Sequence, residues 1–279
     1  MSKKTVAAIS SLVMRGAVGL RAITFALERR GVTVWAVPTV VMPWHPGLGR
    51  STRAPSELLP VQLDELGAHA ARLDAVLTGY FASAAQVEAA ARLIDRVREA
   101  RPDAHIVVDP VTGDEAGRYV PDAVAEAIHH HLVPRADMIT PNRNELADLA
   151  GAATAEAARA LGLKAAIVTS AIDADGEVGA WLVTPDGLST VAHPRVERPA
   201  RGTGDLFSGV LTAALVCGFD PHQALVEASA ATYAVVSASP EEALDLAGCQ
   251  SAIAAPDHAP ITATGGEPRR EVYGVDGCP

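Results

Sequence analysis

Short apolar segments alternate with amphipathic helical segments along most of this chain. The first pair is a buried strand from Thr5 to Ser10 and a helix from Leu20 to Arg30. Further strand-like segments lie at 32–41, 75–78, 105–109, 138–140 and 165–169. Parallel strands need long crossover connections, which are usually helices. The alternation therefore predicts an α/β fold of three layers, with a mostly parallel central sheet flanked by helices.

The chain contains enough apolar material for one large core. Of its 279 residues, 49% are hydrophobic, and no break in composition divides the sequence. We therefore expect a single domain over residues 1–255. Segments 178–184 and 188–193 predict an antiparallel hairpin at the sheet edge. Residues 256–279 are rich in proline, glycine and charge, and we predict that they form a disordered tail.

Charge and hydropathy argue against two classes of partner. The formal net charge of −10 and the pI near 5.3 argue against nucleic acid. No apolar run reaches the roughly 18 residues that a membrane span requires. The first residues run directly into a strand instead of a signal segment. We expect a cytoplasmic protein with neither a nucleic-acid nor a membrane partner.

The stretch from Arg201 to Gly209 joins a glycine-rich turn to the start of a helix. Gly202, Thr203 and Gly204 precede Asp205, and apolar residues then recur at helical spacing. Glycine lets the backbone approach a ligand, and the unpaired N–H groups of a first helical turn bind anions such as phosphate. Asp205 is either a helix N-cap or a carboxylate that accepts a proton from a hydroxyl group beside the anion site.

Polar side chains follow several predicted strands at their carboxyl ends, where ligands collect in open α/β sheets. Ser11 follows the first strand, either as a substrate contact or as an ordinary turn residue, and Asp109 ends a later strand. Asn142 and Glu145 follow another strand with the spacing of a capping box. The same spacing puts an amide and a carboxylate on one face, where they could hold a magnesium ion through its waters. Both interpretations stay open.

The segment from Met42 to Arg53 contains closely spaced prolines and glycines, so we expect neither helix nor strand in it. A long loop that carries a Trp and a His is typical of a lid or a binding loop. We predict a mobile flap over the substrate, with His45 at its tip and Trp44 covering a heteroaromatic ring.

Several motifs together resemble those of a known family, although the Walker-type phosphate loop and the dinucleotide fingerprint are absent. The GTGD turn at 202–205 resembles the signature of the ribokinase-like (phosphofructokinase-B type) small-molecule kinases. The other motifs occur in the order and spacing of the pyridoxal kinase branch: TGY at 78–80, DPVTGD at 109–114, YVP at 119–121 and TPNRNE at 140–145. The resemblance covers about residues 5–240.

The resemblance implies a homodimer that uses ATP and Mg²⁺ to phosphorylate the 5′-hydroxymethyl group of pyridoxal, with a monovalent cation such as K⁺ as an additional cofactor. By position, the catalytic set is the base Asp205 with the anion hole Gly202, Thr203 and Gly204. The positions that match ATP contacts are Asp109, Thr140, Glu145 and Thr169, and the metal set is Asp109, Asn142 and Glu145. The substrate positions are Ser11, His45, Pro46, Gly47 and Tyr80, together with Asp205.

The departures from the family pattern fall mainly on the substrate side. Leu12 stands where His is usual, Leu20 and Pro38 where Asn is common, and Thr169 where Lys is frequent. Pro46-Gly47 replaces a pair that often contacts the ring. Two alternatives follow: a kinase for hydroxymethylpyrimidine or another hydroxymethyl heterocycle, and a non-catalytic ligand-binding protein on the same fold. The three retained acids argue against the second alternative.

Overall fold

A ten-stranded sheet forms the centre of the protein in the computed structural model, which describes residues 3–265. The strands are β1 (Thr5–Arg15), β2 (Thr33–Trp44), β3 (Ala54–Pro55), β4 (Ala75–Thr78), β5 (His105–Val108), β6 (Gly113–Asp114), β7 (Gly117–Arg118), β8 (Met138–Ile139), β9 (Ala165–Ala174), β10 (Glu177–Val183), β11 (Leu188–Pro194) and β12 (Thr262–Thr264). The helices are α1 (Leu20–Arg29), α2 (Leu59–Leu66), α3 (Ala84–Ala100), α4 (Asp122–Ala127), α5 (Arg143–Ala150), α6 (Ala155–Ala160), α7 (Thr203–Val216), α8 (Pro221–Ala238) and α9 (Gln250–Ala254).

The strand order explains why the candidate residues come together. The sheet runs β12-β11-β10-β9-β8-β5-β4-β1-β2-β3, and β6 and β7 form a separate hairpin. From β9 to β2 all pairs are parallel, whereas β3 at one edge and β10 to β12 at the other pair in antiparallel fashion. The carboxyl ends of the parallel strands therefore share one edge of the sheet, where ligands bind in such folds.

Helices cover both faces of the sheet, and β1 shows this most clearly. Val6 and Ala8 are buried in the apolar core that includes α1, α7 and α8. Ala7 and Ile9, which point to the opposite face, are buried in the core that includes α2 and α3. The predicted three-layer α/β fold is therefore confirmed. No helix in residues 3–265 has the length and apolar character needed to cross a membrane.

Ser11 lies inside β1, not after it as the sequence predicted. The strand continues to Arg15 because β2 extends beside it, with Arg15 opposite Trp44. The pairing of β1 with β2 shifts between Ser10 and Leu12. An irregularity of this kind bends a strand and redirects its side chains.

The expectation that Met42 to Arg53 contains neither helix nor strand is wrong for its first residues. β2 continues through Trp44, and Pro46–Leu48 forms a short 3₁₀ helix. Because β3 pairs only with Val40 and Val41, the rest of β2 is an edge strand, where proline is tolerated. The indole N–H of Trp44 is buried, and Trp44 does not line the pocket described below.

The prediction that a disordered tail begins at residue 256 is wrong, because the structured part of the chain extends beyond that residue. Thr262–Thr264 forms β12 and pairs with β11, and Pro256 is buried. The side chain of Glu227 on α8 forms an ion pair with Arg30 at 2.7 Å, and its other carboxylate oxygen lies 2.7 Å from Nε2 of His258. These contacts fix the segment before β12 against the domain. The remaining part of the predicted tail, residues 266–279, lies outside the described residues.

Candidate active site

A pocket of about 670 Å³ opens at the carboxyl edge of the parallel strands. Every candidate site residue predicted from the sequence lines it: Ser11, His45, Pro46, Gly47, Tyr80, Asp109, Thr140, Asn142, Glu145, Thr169, Gly202, Thr203, Gly204 and Asp205. The functional roles of these residues remain predictions. Their convergence from strands and loops far apart in the sequence follows from the parallel topology.

The glycine-rich turn places the start of α7 at the floor of this pocket. Gly202 is the N-cap residue, with a φ of 98°, and a Cβ atom there would lie 2.1 Å from the carbonyl oxygen of Ala17. Glycine is therefore required both by conformation and by space. Thr203 begins the helix, so the first N–H groups of α7 have no partner within the helix. Together with the helix dipole, they form a site suited to a phosphate group.

Asp205 lies in the first turn of α7 but is not its N-cap, so the capping hypothesis for this residue is wrong. One of its carboxylate oxygens accepts a hydrogen bond of 2.8 Å from the backbone N–H of Gly19, the residue before α1. Burial raises the pKa of the Asp205 carboxyl group to about 6, and the Gly19 bond opposes that rise. A carboxylate whose pKa lies near neutrality is well matched to general-base chemistry.

Hydroxyl groups position the carboxylate of Asp109. Ser208 donates a hydrogen bond of 2.8 Å to Asp109, and the hydroxyl groups of Ser208 and Thr140 lie 3.2 Å apart. Burial, followed by the negative charges of Glu145 and Asp205, holds the pKa of Asp109 well above its usual range. Three carboxyl groups therefore act on one another electrostatically in this pocket, which favours a bound cation.

Asn142 and Glu145 form the predicted capping box at the start of α5. The Asn142 side-chain oxygen accepts from the backbone N–H groups of Asn144 and Glu145, and Glu145 accepts from the N–H of Asn142 at 2.9 Å. The other Glu145 oxygen accepts from Thr112 at 2.9 Å. Burial nevertheless raises the pKa of Glu145 to about 7, against these hydrogen bonds.

The arrangement fits a magnesium ion that is held largely by water and phosphate. Within residues 3–265, no three His, Cys, Asp or Glu side chains converge as direct metal ligands. Both lone pairs of the Asn142 oxygen are used in capping, so that residue has no oxygen left for direct coordination. The Asp109 carboxylate lines the pocket and accepts a hydrogen bond from Ser208 on one of its oxygens. Mg²⁺ commonly binds through one or two carboxylates, several waters and substrate phosphates.

The opposite end of the pocket is formed by the segment after β2. His45 caps the short 3₁₀ helix, since its Nδ1 accepts a 3.0 Å hydrogen bond from the N–H of Gly47. Burial lowers the pKa of His45, and the positive charges of Arg201 and Arg53 lower it further. The imidazole is therefore neutral near pH 7, with its proton on Nε2. Arg53 also contacts the hydroxyl of Tyr80, at 3.5 Å.

Sequence reasoning missed several residues that shape the pocket. Ser208 lies three residues after Asp205, and this spacing on one helix face could have revealed it. Gly19 donates a hydrogen bond to Asp205, which lies 186 positions later in the sequence, and no local sequence pattern predicts such a contact. Arg53 and Arg201 line the pocket as positive charges, although each looks like an ordinary surface residue in the sequence.

Comparisons with known proteins identify similar sequences and structures. Residues 16–246 match the family described as phosphomethylpyrimidine kinase. The chain is 38% identical to the pyridoxine/pyridoxal/pyridoxamine kinase of Bordetella avium, over 80% of this chain and 81% of the relative. It is 34% identical to the pyridoxal kinase PdxY of Leifsonia xyli, over 84% and 88% of the two chains.

A solved structure of similar shape is the pyridoxal kinase of Leishmania donovani in complex with ADP and pyridoxamine. It has a TM-score of 0.83 and 25% identity, and the match covers 94% of this chain and 100% of that chain. The resemblance predicted from the sequence motifs is therefore confirmed. The chain belongs to the phosphomethylpyrimidine kinase family and has the ribokinase-like fold of the pyridoxal kinases.

Proposed function

We propose that this protein is an ATP-dependent kinase that transfers the γ-phosphoryl group to the 5′-hydroxymethyl group of pyridoxal, in vitamin B6 salvage. One observation carries the proposal: the Asp205 carboxylate lies in the first turn of α7, beside backbone N–H groups suited to phosphate. The names of the relatives support the choice of a B6 vitamer as the acceptor.

The proposed reaction places the acceptor hydroxyl between Asp205 and the N-terminus of α7. Asp205 accepts the hydroxyl proton while the hydroxyl oxygen forms a bond to the γ-phosphorus of ATP and the bond to the β-phosphate oxygen breaks. ADP leaves with that oxygen. The N–H groups of Thr203 and Gly204 stabilise the negative charge on the phosphoryl group as it transfers. Gly19 holds the Asp205 carboxylate in position through its N–H.

Asp109 and Glu145 are the residues proposed to hold magnesium, the first directly and the second through water. The ion, when bound, would neutralise charge on the ATP phosphates. Ser208 and Thr140 orient Asp109 from behind. A requirement for K⁺ rests on the family resemblance alone, and measuring turnover in potassium and in sodium buffers tests it.

A second acceptor, hydroxymethylpyrimidine, is favoured by one observation: two positions at which the family pattern has polar residues on the substrate side carry leucines that do not line the pocket. Leu20 is buried in the core with 2% exposure, and Leu12 packs against the same core. Neither side chain can donate to a ring substituent. The description of the matching family also names a pyrimidine substrate.

An acceptor panel decides between these functions. ADP release is measured with pyridoxal, pyridoxine, pyridoxamine and hydroxymethylpyrimidine, with Asp205→Asn as the inactive control. We expect the highest kcat/KM with a B6 vitamer. A higher value for hydroxymethylpyrimidine would assign the second function, and no acceptor-dependent ADP release would indicate a non-catalytic protein.

We also propose a cytoplasmic homodimer. Met14, Leu58 and Val61 are exposed apolar side chains, at 68%, 67% and 55% exposure, and association would cover such surface. Light scattering should give twice the mass of the chain, and a single-chain mass would contradict the dimer. Cell fractionation tests the location.

A further inference from the structure

Two arginines line the active-site pocket at the end formed by the segment after β2. Arg53 belongs to that segment, and Arg201 immediately precedes Gly202, the N-cap residue of α7. Within residues 3–265, neither guanidinium group lies within ion-pair distance of a carboxylate. The proposed transfer of the phosphoryl group uses neither arginine, so both positive charges remain without an assigned role.

The position of Arg201 depends on the absence of a side chain at Gly47. A Cβ atom at position 47 would lie 2.5 Å from Nε of Arg201 and 2.6 Å from its Cζ. The guanidinium group therefore lies against the backbone of the segment after β2. Gly47 belongs to the pair that departs from the family pattern, and its lack of a side chain leaves room for a charged group that comes from the turn before α7.

Arg53 reaches the same part of the pocket beside Tyr80. Its Nη1 lies 3.5 Å from the hydroxyl oxygen of Tyr80. The backbone of Tyr80 is fixed on both sides, because its N–H donates to the Ser10 hydroxyl at 3.2 Å and its carbonyl oxygen accepts from the Thr39 hydroxyl at 2.7 Å. Arg53 therefore contacts a part of the wall that the sheet holds in place.

Charge is distributed unevenly along the pocket. The positive charges of Arg201 and Arg53 each lower the pKa of His45 by more than the negative charge of Asp114 raises it. At the opposite end, the charge of Glu145 helps to raise the pKa of Asp109. A ligand with a negative charge on its ring is therefore attracted to the arginines and repelled by the carboxylates.

We propose that Arg53 and Arg201 bind an anionic oxygen on the acceptor ring and thereby select 3-hydroxypyridines over uncharged heterocycles. Near neutral pH the hydroxyl group of such a ring loses its proton while the ring nitrogen gains one, so the oxygen is negatively charged. Arginine donates charge-assisted hydrogen bonds to an oxygen of this kind. A hydroxymethylpyrimidine has no hydroxyl on its ring and would leave both arginines without a partner.

The geometry of the ring agrees with this arrangement. The reactive hydroxymethyl group at position 5 and the oxygen at position 3 are meta to one another, so they point towards different walls of the pocket. With the first group at Asp205, the second is directed away from that carboxylate. The B6 vitamers differ at position 4, so the arginines should not discriminate among them. This inference rests on the proposed kinase function and names the ring chemistry that the same site accepts.

Pyridoxine and 3-deoxypyridoxine, which differ only in the ring hydroxyl, test the proposal. Their affinities are measured by isothermal titration of the full chain without nucleotide, and their kcat/KM by release of ADP. We expect the unaltered protein to prefer pyridoxine about tenfold, the scale of one hydrogen bond to a charged group. Arg53→Met and Arg201→Met should each reduce this preference, and the double variant should bind the two rings equally.

Three further variants separate the role of the arginines from a general effect on structure. Arg50 is an exposed residue of the same segment that does not line the pocket, so Arg50→Met should keep the full preference. Arg201→Lys retains the charge and should retain part of the preference. Gly47→Ala keeps both arginines but places a methyl group where Arg201 lies, so it should reduce the preference as Arg201→Met does.

Substitution of either arginine should leave the fold intact, because both residues are exposed. If a methionine variant nevertheless fails to fold, the corresponding glutamine variant replaces it, and the same loss of preference is expected.

The failures of the two proposals differ. Equal affinity for the two rings in the unaltered protein, or an unchanged preference in the double variant or in Gly47→Ala, would overturn the role of the arginine pair and leave the kinase function intact. Absence of binding and of phosphorylation with both rings would overturn the kinase function and this inference together. A tenfold preference in titration without turnover on any acceptor would overturn only the kinase function.

Discussion

Asp205 has an environment that favours function over stability. Its folded-state pKa is about 6, against an ordinary value of 3.8, because burial disfavours the charged form. Between these two pH values the folded state binds the proton more tightly than the unfolded state does. Stability therefore falls as pH rises through this window, and the ionised carboxylate destabilises the fold at neutral pH.

Asp205→Asn should remove turnover and raise stability together. An amide keeps an oxygen that can accept the Gly19 N–H, but it cannot take a proton, so kcat should fall about 100- to 10,000-fold. The free energy of unfolding at pH 7 should rise by about 1 kcal/mol, a figure that already allows for solvent screening in the open pocket. ADP affinity should be unchanged in titration. Retention of more than about a tenth of the activity would show that Asp205 is not the base.

The pH dependence of kcat/KM should report the same group. Because only the ionised carboxylate accepts a proton, kcat/KM for pyridoxal should decrease as pH falls through about 6. Glu145, with a pKa of about 7, faces the same pocket and should contribute to the loss. A profile measured from pH 5 to 9 that stays flat below neutrality would contradict both assignments.

Glu145→Gln tests the metal assignment. Loss of the negative charge should raise the magnesium concentration needed for half-maximal activity more than it raises the KM for pyridoxal. The capping box survives in part, since Asn142 still accepts from the N–H at position 145. An unchanged magnesium titration would leave Glu145 with its capping role alone.

At the residue scale, the sequence predicted the side chains that belong to short motifs with a recognisable spacing. It did not predict the residues that contact the site from distant positions in the sequence. The capping box formed by Asn142 and Glu145 could be predicted, because capping depends on residues that are close together in the sequence. The hydrogen bond between Gly19 and Asp205 could not be predicted, because it depends on how α1 and α7 pack. A capping role for Asp205 was a reasonable hypothesis that failed because Gly202 already takes the N-cap position.

At the element scale, the central strands were predictable because buried parallel strands are short apolar runs bounded by turns. The ends of β1 and β2 were not, since each strand is extended by its neighbour rather than by its own sequence. β12 escaped prediction for a similar reason. Its three exposed residues, Thr262 to Thr264, form a strand only because β11 offers a free edge.

The segment that follows β2 should respond to substrate. Pro46, Gly47 and Arg53 of this segment line the pocket, and Arg50 and Arg53 are exposed trypsin sites. Pyridoxal with a non-hydrolysable ATP analogue should slow cleavage at both, because closure would exclude water from the phosphoryl group.

Cleavage after Arg72, which is exposed and does not line the pocket, should keep its rate and serves as the internal control. Deletion of Pro46 to Gly49 should raise ATP hydrolysis relative to product formation. Equal proteolysis with and without ligand, together with unchanged coupling in the deletion variant, would make this segment an ordinary connection.

At the scale of the whole molecule, one topological fact organises the site. Parallel strands with helical crossovers bring their carboxyl ends to one edge, so Ser11, Asp109, Thr140 and Thr169 meet there although they are far apart in sequence. This convergence could be predicted from the alternation of strands and helices. The identity of the acceptor could not be predicted, because it depends on the shape of the pocket and of the segment after β2, which local sequence patterns do not report.

Competition between acceptors tests the central claim most directly. The protein is given ATP, Mg²⁺ and equal concentrations of pyridoxal and hydroxymethylpyrimidine, and the phosphorylated products are quantified by mass spectrometry at low conversion. The account predicts that pyridoxal 5′-phosphate is the main product and that Asp205→Asn forms almost none. A predominance of phosphorylated pyrimidine, or equal product from the variant, would contradict it.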